Sequence, residues 1–230
     1  MRILTRVAVV PLFVAAIHGA APTYEVIRST GDHDFMFSFR QGAQLAFGAP
    51  QENTLSTWQT LPFPWKFFGR EVAGYFISDN GYITFDRAAK TSVASNRPLP
   101  DAAAPAGSIF AFWTDLRLEA GHGAWTNAVH TATLGDPPNR VHLIYWMSAL
   151  PPGGAFDTSA FSFALALYEN GEFEVIFTSG RKGVPVKATI GATSPDGKTS
   201  VMAEGPAFDF PPVGFGGEDD KNYRFKPIEK

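Results

Sequence analysis

The sequence predicts an all-β fold, an antiparallel β-sandwich with long loops and little helix. Short apolar and aromatic runs recur along the chain, Gly and Pro separate them, and two pairs of runs can be read as hairpins in register. The chain has 230 residues, including 21 Phe, 22 Gly and 18 Pro. Aromatic residues favour strands, whereas Gly and Pro favour turns. One sandwich or barrel can hold a chain of this length.

The candidate strands are short and closely spaced. They cover residues 35–39, 63–68, 72–78, 82–85, 109–113, 141–147, 161–168, 173–178 and 186–193. Turn-forming groups such as Gly48-Ala49-Pro50 and Pro195-Asp196-Gly197 lie between them. Residues 141–147 are apolar on both faces, which predicts a central strand covered on both sides. The Ala- and Pro-rich stretch 88–106 predicts a long loop.

The alternation of apolar residues sets the register of two hairpins. A two-residue Asn-Gly loop after Glu169 would place Leu167 opposite Glu174, whereas a three-residue loop, Glu169-Asn170-Gly171, places it opposite Phe173. The longer loop keeps one face apolar and is therefore favoured. The same argument gives Asp79-Asn80-Gly81 a three-residue loop. We expect positive φ at the glycine that ends each loop.

The N-terminus has the pattern of a signal peptide. Arg2 and Arg6 are basic, residues 7–17 are apolar, and small residues follow at 19–21. The apolar run is shorter than the ~20 residues of a membrane span. We expect residues 1–21 to be removed and the mature chain to be secreted, extracellular or held in the cell envelope, without a membrane span. A buried first strand or an uncleaved anchor is the alternative.

Composition argues against several function classes. The chain has no Cys, which excludes disulfides, a thiolate zinc site and a cysteine nucleophile. Its formal charge is −3 and Lys and Arg do not cluster, so no nucleic-acid partner is expected. The chain lacks a His-Glu-x-x-His motif, an EF-hand loop and a Gly-x-Ser-x-Gly elbow. We therefore expect no enzymatic activity and no cofactor.

The order of several segments resembles the nidogen-type extracellular domain and its bacterial secreted relatives. The segments that carry the resemblance lie within residues 61–197 and include Leu61-Pro62-Phe63-Pro64-Trp65, Ile77-Ser78-Asp79-Asn80-Gly81-Tyr82-Ile83, Ile109-Phe110-Ala111-Phe112-Trp113-Thr114-Asp115, His142-Leu143-Ile144-Tyr145-Trp146 and Ala188-Thr189-Ile190-Gly191. Ala111 stands where the family pattern has proline, and Thr114 where a second acid is common. The resemblance implies an extracellular interaction module and supplies no catalytic residues.

The leader pattern and the resemblance together predict four parts of the chain. Residues 1–21 are the leader, 22–60 are N-terminal strands and 61–205 are the nidogen-like core. Residues 206–230 are a C-terminal extension that packs on the same domain or trails from it. The function that follows is a secreted, non-catalytic, adhesion-type domain whose partner is an extracellular protein or glycan. A carbohydrate-binding module and a hydrolase with an unrecognised site are the alternatives.

The candidate binding residues are one acid and three tryptophans. Asp115 follows an aromatic strand and could bind a ligand or cation, or accept backbone N–H bonds in the turn. Trp58, Trp65 and Trp125 lie in more polar surroundings than Trp113 and Trp146, so they are the candidates for an exposed sugar-stacking platform.

The sequence gives weaker indications of metal ligands and of paired catalytic acids. No metal site is expected, although Asp32 and Asp34 could converge because alternate strand residues share a face. His130 and His142 lie on neighbouring candidate strands and could ligate a metal across them. Glu172 and Glu174 could serve a glycosidase but are expected on a solvated strand face. The acids at 218–220 are expected to be solvated, with a calcium role as the alternative.

Overall fold

The structure, a computed structural model, describes residues 24–29, 35–121, 127–180, 186–208 and 222–228. These residues form strands and two short helices in the order β1 (Tyr24–Ser29), α1 (Phe35–Gly42), β2 (Gln44–Gly48), β3 (Gln51–Glu52), β4 (Gln59–Phe67), β5 (Arg70–Ser78), β6 (Tyr82–Thr84), β7 (Ser108–Trp113), β8 (Arg117–Leu118), β9 (Ala128–Leu134), β10 (Val141–Ala149), α2 (Phe156–Ser159), β11 (Phe161–Tyr168), β12 (Phe173–Gly180), β13 (Ala188–Thr193), β14 (Ser200–Phe208) and β15 (Asn222–Pro227).

Two antiparallel sheets pack face to face. One has the strand order β1-β15-β12-β11-β10-β9-β2, the other has the order β14-β13-β7-β6-β5-β4, and β3 pairs separately with β8. Fully buried rings from both sheets meet between them. Phe112 of β7 lies 5.3 Å from Phe163 of β11 between ring centroids. The predicted antiparallel β-sandwich is confirmed.

Each sheet is also covered on its outer face. Helix α1 places Phe39 against Tyr145 of β10, with 5.4 Å between ring centroids. Strand β10 is therefore covered on both sides, as its composition predicts. The predicted loop 88–106 covers the six-stranded sheet, where Leu99 packs in one cluster with Trp113.

Both predicted hairpin registers are confirmed. Leu167 lies opposite Phe173 in the β11–β12 pair, and Ser78 lies opposite Tyr82 in the β5–β6 pair, so three residues form each loop. The glycine that ends the loop has φ of 76° in the β5–β6 hairpin and 91° in the β11–β12 hairpin. Only glycine adopts such values readily, which explains its place at both turns.

The predicted strand at residues 35–39 is wrong, because this segment begins helix α1. Phe39 is buried while Ser38, Arg40 and Gln41 are exposed, and a strand would bury residues 39 and 41 together. Aromatic residues favour strands only where a sheet offers them a half-buried place. Here the segment instead lies on the outer face of a sheet that is already complete.

Strand β15 lies inside the seven-stranded sheet. It pairs along its length with β1 and, through Phe225 and its neighbours, with β12. Part of the predicted C-terminal extension therefore packs in the same sheet as the first described strand.

Candidate functional site

The sandwich has two ends that differ in their connections. At the turn end, short turns close the β4–β5, β9–β10, β11–β12 and β13–β14 hairpins. At the cleft end, β5, β7, β10 and β12 finish. Asp115 follows β7 directly, so the alternation of strand directions places it at the cleft end.

A cleft of about 420 Å³ opens at this end. Thr114 and Asp115 form one part of its wall, and the segments 94–96, 151–152 and 186–187 form the rest. This volume is within the range of pockets that bind small ligands or single side chains. We call segment 94–96 the first lip of the cleft and segment 151–152 the second lip.

Both lips are held by residues that flank Asp115. Two positions before it, the buried Trp113 donates from Nε1 to the Val93 carbonyl at 2.7 Å. Two positions after it, Arg117 donates to the Pro151 carbonyl at 2.5 Å and to the Gly154 carbonyl at 2.9 Å. The segment that presents Asp115 therefore also fixes the walls on either side of it.

The first lip has two further anchors. The Val93 N–H donates to the Tyr82 hydroxyl at 2.9 Å, and the Thr189 hydroxyl donates to the Arg97 carbonyl at 2.7 Å. Residues 94–96 are thus bounded by hydrogen bonds on both sides. A lip held in this way is already in place before a ligand arrives, which lowers the entropy that binding must overcome.

The Asp79-Asn80-Gly81 loop holds the backbone on both sides of Asp115 through Asn80. The Asn80 side-chain carbonyl accepts from the Leu116 N–H at 2.8 Å, and its main-chain carbonyl accepts from the Thr114 N–H at 3.4 Å. Asn80 also donates from Nδ2 to Ser92 at 2.7 Å and to Asn53 at 3.0 Å. Its side chain is fully buried, so this position holds the backbone on both sides of Asp115.

Asp115 itself has an electrostatic environment that disfavours its charge. Partial burial raises the pKa of its carboxyl group, the nearby Glu52 raises it further, and Arg117 opposes both effects. In the described part of the chain, no hydrogen bond or ion pair reaches this carboxylate, so the alternative role as a turn cap gains no support. Asn96 Nδ2 is buried and also finds no hydrogen-bond partner among the described residues.

The predicted tryptophan platform is wrong in part. Trp65 is 2% exposed and donates from Nε1 to the Tyr168 carbonyl at 2.9 Å, so it belongs to the core. It lies in the edge strand β4, whose alternate residues Pro64 and Lys66 are exposed, which is why its surroundings in the sequence look polar. Trp113 and Trp146 are fully buried, as expected.

Trp58 is partly exposed, but its face is occupied. The Arg87 guanidinium lies 4.4 Å from the ring centroid, and Phe76 contacts the ring edge-on at 4.9 Å between centroids. A sugar would have to displace Arg87 in order to stack on this ring. Trp125 lies outside the described residues.

The predicted metal ligands do not assemble. Asp32, Asp34 and the acids at 218–220 lie outside the described residues. His130 pairs with Tyr145 and His142 with Thr133, which are three positions apart, so the two imidazoles lie on opposite faces of the sheet. Within the described ranges, no group of three or more His, Cys, Asp or Glu residues could hold a metal ion.

His142 is a structural residue between the sheets. Its Nε2 lies 2.6 Å from the Tyr75 hydroxyl, and its Nδ1 lies 2.9 Å from the Thr133 hydroxyl. Burial lowers the pKa of the imidazole to about 4. It is therefore neutral at physiological pH and far from solvent.

Glu174 is buried, which corrects the expected solvated strand face. It is 1% exposed and accepts a hydrogen bond from the Tyr168 hydroxyl at 2.7 Å. Arg224 lies 3.6 Å from Glu174 and 2.5 Å from Glu172. A cation that bridges both carboxylates explains why a charged side chain can be buried there.

Sequence reasoning found Asp115 but missed the residues that build its cleft. Arg117, Thr189 and Asn96 carry no motif, and Asn80 was singled out only for its turn. The bonds by which Asn80, Arg117 and Thr189 hold the cleft together span 12 to 92 residues of the chain, so spacing in the sequence gives no signal. No helix among the described residues is long and apolar enough to cross a bilayer.

Comparison with known proteins gives a family match. A family model described as NIDO related matches residues 23–210, which includes every described strand except β15, the Asp79-Asn80-Gly81 loop and the cleft. No curated protein and no solved structure matches the chain significantly. The match covers most of the chain and agrees with the resemblance found in its segments. The chain belongs to the NIDO-related family.

Proposed function

We propose that this chain is a non-catalytic interaction domain that acts outside the cytoplasm and binds its ligand in the cleft beside Asp115. The observation that carries the proposal is the construction of the cleft. One short segment presents a carboxylate, and its flanking residues Trp113 and Arg117 fix the two lips around it. Such a preorganised concave site is the usual form of a binding site.

The chemistry of the cleft favours binding over catalysis. Among its described lining residues, Asp115 is the single acid, whereas a glycosidase needs two opposed carboxylates. A serine hydrolase needs a histidine beside its nucleophile, and His130 and His142 are buried in the seven-stranded sheet. An activity assay on glycosides and esters is expected to show no turnover.

The carbohydrate alternative loses its main support. Trp65 is in the core, Arg87 covers Trp58, and the described lining of the cleft contains no aromatic residue. Sugar-binding modules commonly stack a ring on the sugar. A protein partner therefore fits the cleft better than a glycan.

Location outside the cytoplasm rests on the leader pattern at residues 1–21 and on the family. N-terminal sequencing of the mature product tests it. A start near residue 22 in a secreted or envelope fraction supports the proposal, and an intact Met1 in the cytoplasm contradicts it.

The binding site is tested with the full chain on a glycan array and a combinatorial peptide array, each with calcium and with EDTA. Ser95→Trp fills the cleft from its exposed first lip, and Asn139→Trp is the matched control in an exposed turn at the turn end. Saturable binding that Ser95→Trp abolishes and Asn139→Trp retains supports the proposal. Binding that survives Ser95→Trp places the site elsewhere, and silence on both arrays contradicts an interaction role for the cleft.

A further inference from the structure

Some polar groups of the cleft have no hydrogen-bond partner among the described residues. Those that a ligand can reach indicate what the ligand must offer. Asp115 has an acceptor group without a hydrogen bond or ion pair in the described part of the chain. The Asn96 donor Nδ2 also has no described partner, but it is buried and not accessible to a ligand in the cleft. A ligand that fits must therefore bring a donor to Asp115.

The donor that suits Asp115 is a cation. Glu52, which pairs with Arg117 across β3 and β8, adds negative charge near the carboxylate. The positive charge of Arg117 is already engaged, because its guanidinium contacts Glu119 at 2.7 Å and the carbonyls of Pro151 and Gly154. A positively charged ligand group would relieve the excess of negative charge and form a charge-assisted hydrogen bond.

The rest of the lining suits a polypeptide that carries this cation. Pro151 and Pro152 present apolar rings along one wall, against which the aliphatic stem of a long basic side chain can pack. The exposed Lys187 offers a donor, and the carbonyls of a peptide are acceptors. A single carboxylate also fits one side chain better than a metal ion, which needs several oxygen ligands.

We infer that the cleft binds a lysine or arginine side chain of a partner polypeptide, with the ammonium or guanidinium group on Asp115. This inference rests on the proposed function, because it names the ligand of the same cleft. It assigns Asp115 to charge recognition and the second lip to the aliphatic stem.

The test is an NMR titration of the full chain with capped tripeptides that have Lys or Arg at the centre. Tripeptides with norleucine or citrulline are the uncharged controls of similar shape. The amide signals of residues 94–96 and 114–115 report binding at the cleft. We expect the charged peptides to bind roughly tenfold more tightly than the uncharged ones, as the loss of one charge-assisted bond predicts.

Two variants separate this inference from the proposed function. Asp115→Asn is expected to weaken the charged peptides roughly tenfold and to leave the uncharged ones unchanged, while Asp136→Asn, an exposed acid at the turn end, has no effect. If Ser95→Trp abolishes array binding but Asp115→Asn does not weaken it, the cleft is the site and the cation is wrong. Norleucine binding as tightly as lysine, or a glycan as the cleft ligand, also overturns the inference. If no probe shifts the cleft signals or binds on the arrays, the proposed function fails with it.

Discussion

Two three-residue loops of closely related sequence close hairpins at opposite ends of the sandwich. Asp79-Asn80-Gly81 lies at the cleft end with Asp79 and Asn80 fully buried, whereas Glu169-Asn170-Gly171 lies at the turn end and Asn170 is exposed. The Asn170 side chain accepts from the Glu172 N–H, two residues away, at 3.1 Å. The Asn80 side chain accepts from the Leu116 N–H, 36 residues away.

The difference shows that one turn geometry can serve two purposes. At the turn end the Asn170 side chain satisfies an N–H group of its own hairpin, and the Glu169 carboxylate bonds to Arg140 in the neighbouring β9–β10 turn. At the cleft end the same geometry directs an asparagine into the protein, where it holds the segment that presents Asp115. The loop at the turn end reverses the chain, and the loop at the cleft end also supports the segment that presents Asp115.

The largest expected difference between the loops concerns their glycines. A Cβ at Gly81 would lie 2.2 Å from the Phe112 carbonyl oxygen, whereas a Cβ at Gly171 would meet its nearest atom, Pro227 Cγ, at 3.8 Å. Both substitutions strain a residue with positive φ by ~1 kcal/mol. Gly81→Ala adds a backbone clash and is expected to lower the free energy of unfolding by about 4 kcal/mol or more, against about 1 kcal/mol for Gly171→Ala. Urea unfolding of both variants measures this, and equal losses would mean that the loops are equivalent.

Substitutions of the two loop asparagines should differ almost as much in their effect on the free energy of unfolding. Asn80→Ala leaves the Leu116 N–H unpaired in the interior and removes the bonds to Ser92 and Asn53. Each buried group left without a partner costs about 1–3 kcal/mol, so we expect a loss of about 3 kcal/mol. Asn170→Ala exposes its N–H partner to water and should change stability by no more than ~0.5 kcal/mol. Thermal and urea unfolding test this pair, and a small loss for Asn80→Ala would show that Asp115 is held by other contacts.

The acids that begin the loops should give opposite pH dependences. Burial raises the pKa of Asp79 to about 6, although the Thr54 N–H donates to its carboxylate. Because the folded state holds this proton more tightly than the unfolded state, the contribution of Asp79 is fully present below pH ~4 and is lost as pH rises through 6, by about 3 kcal/mol. Asp79→Asn should remove that loss and be more stable than the wild type at pH 7.

The contribution of Glu169 to stability should depend on pH in the opposite way. The hydrogen bond from Arg140 lowers the pKa of its carboxyl group, so its contribution is present at neutral pH and is lost as pH falls through the lowered value. Glu169→Gln should remove that loss on the acid side. Unfolding free energies of both variants between pH 3 and pH 8 give the comparison, and parallel curves for Asp79→Asn and the wild type would contradict the assignment at the cleft end.

The sequence predicts the turn end far better than the cleft end, for a physical reason. A register depends on alternation within about ten residues, so the position of Leu167 opposite Phe173 can be worked out from a short stretch. The positive φ of both loop glycines follows from the same local rule. Asp115 could be singled out because it ends an aromatic strand, but its cleft is assembled by Trp113, Arg117 and Thr189 from distant segments.

Two incorrect predictions, for the segment 35–39 and for Trp65, have the same cause. The segment 35–39 has strand-like composition but forms part of α1, because the sheet that it meets is complete and offers only an outer face. Trp65 has polar neighbours in the sequence but lies in the core, because alternate residues of β4 face opposite sides. In both cases tertiary position decides what local composition leaves open.

The last pair of variants should change the free energy of unfolding least, yet hydrogen exchange should distinguish the two ends of the sandwich clearly. Thr189 and Thr193 lie on the same strand, β13, with Thr189 at the cleft end and Thr193 at the turn end. Thr189→Val removes the bond to the Arg97 carbonyl, which bounds the first lip, whereas Thr193→Val removes a bond between two side-chain hydroxyls at 3.2 Å. Each should change the free energy of unfolding by about 1 kcal/mol or less. Only Thr189→Val should speed amide hydrogen exchange at residues 94–97, because opening of the lip then needs one bond fewer. If both variants leave exchange at the lip unchanged, the rigidity of the first lip comes from the bonds that Trp113 and Tyr82 make with Val93, and the hydrogen bond from β13 contributes nothing to it.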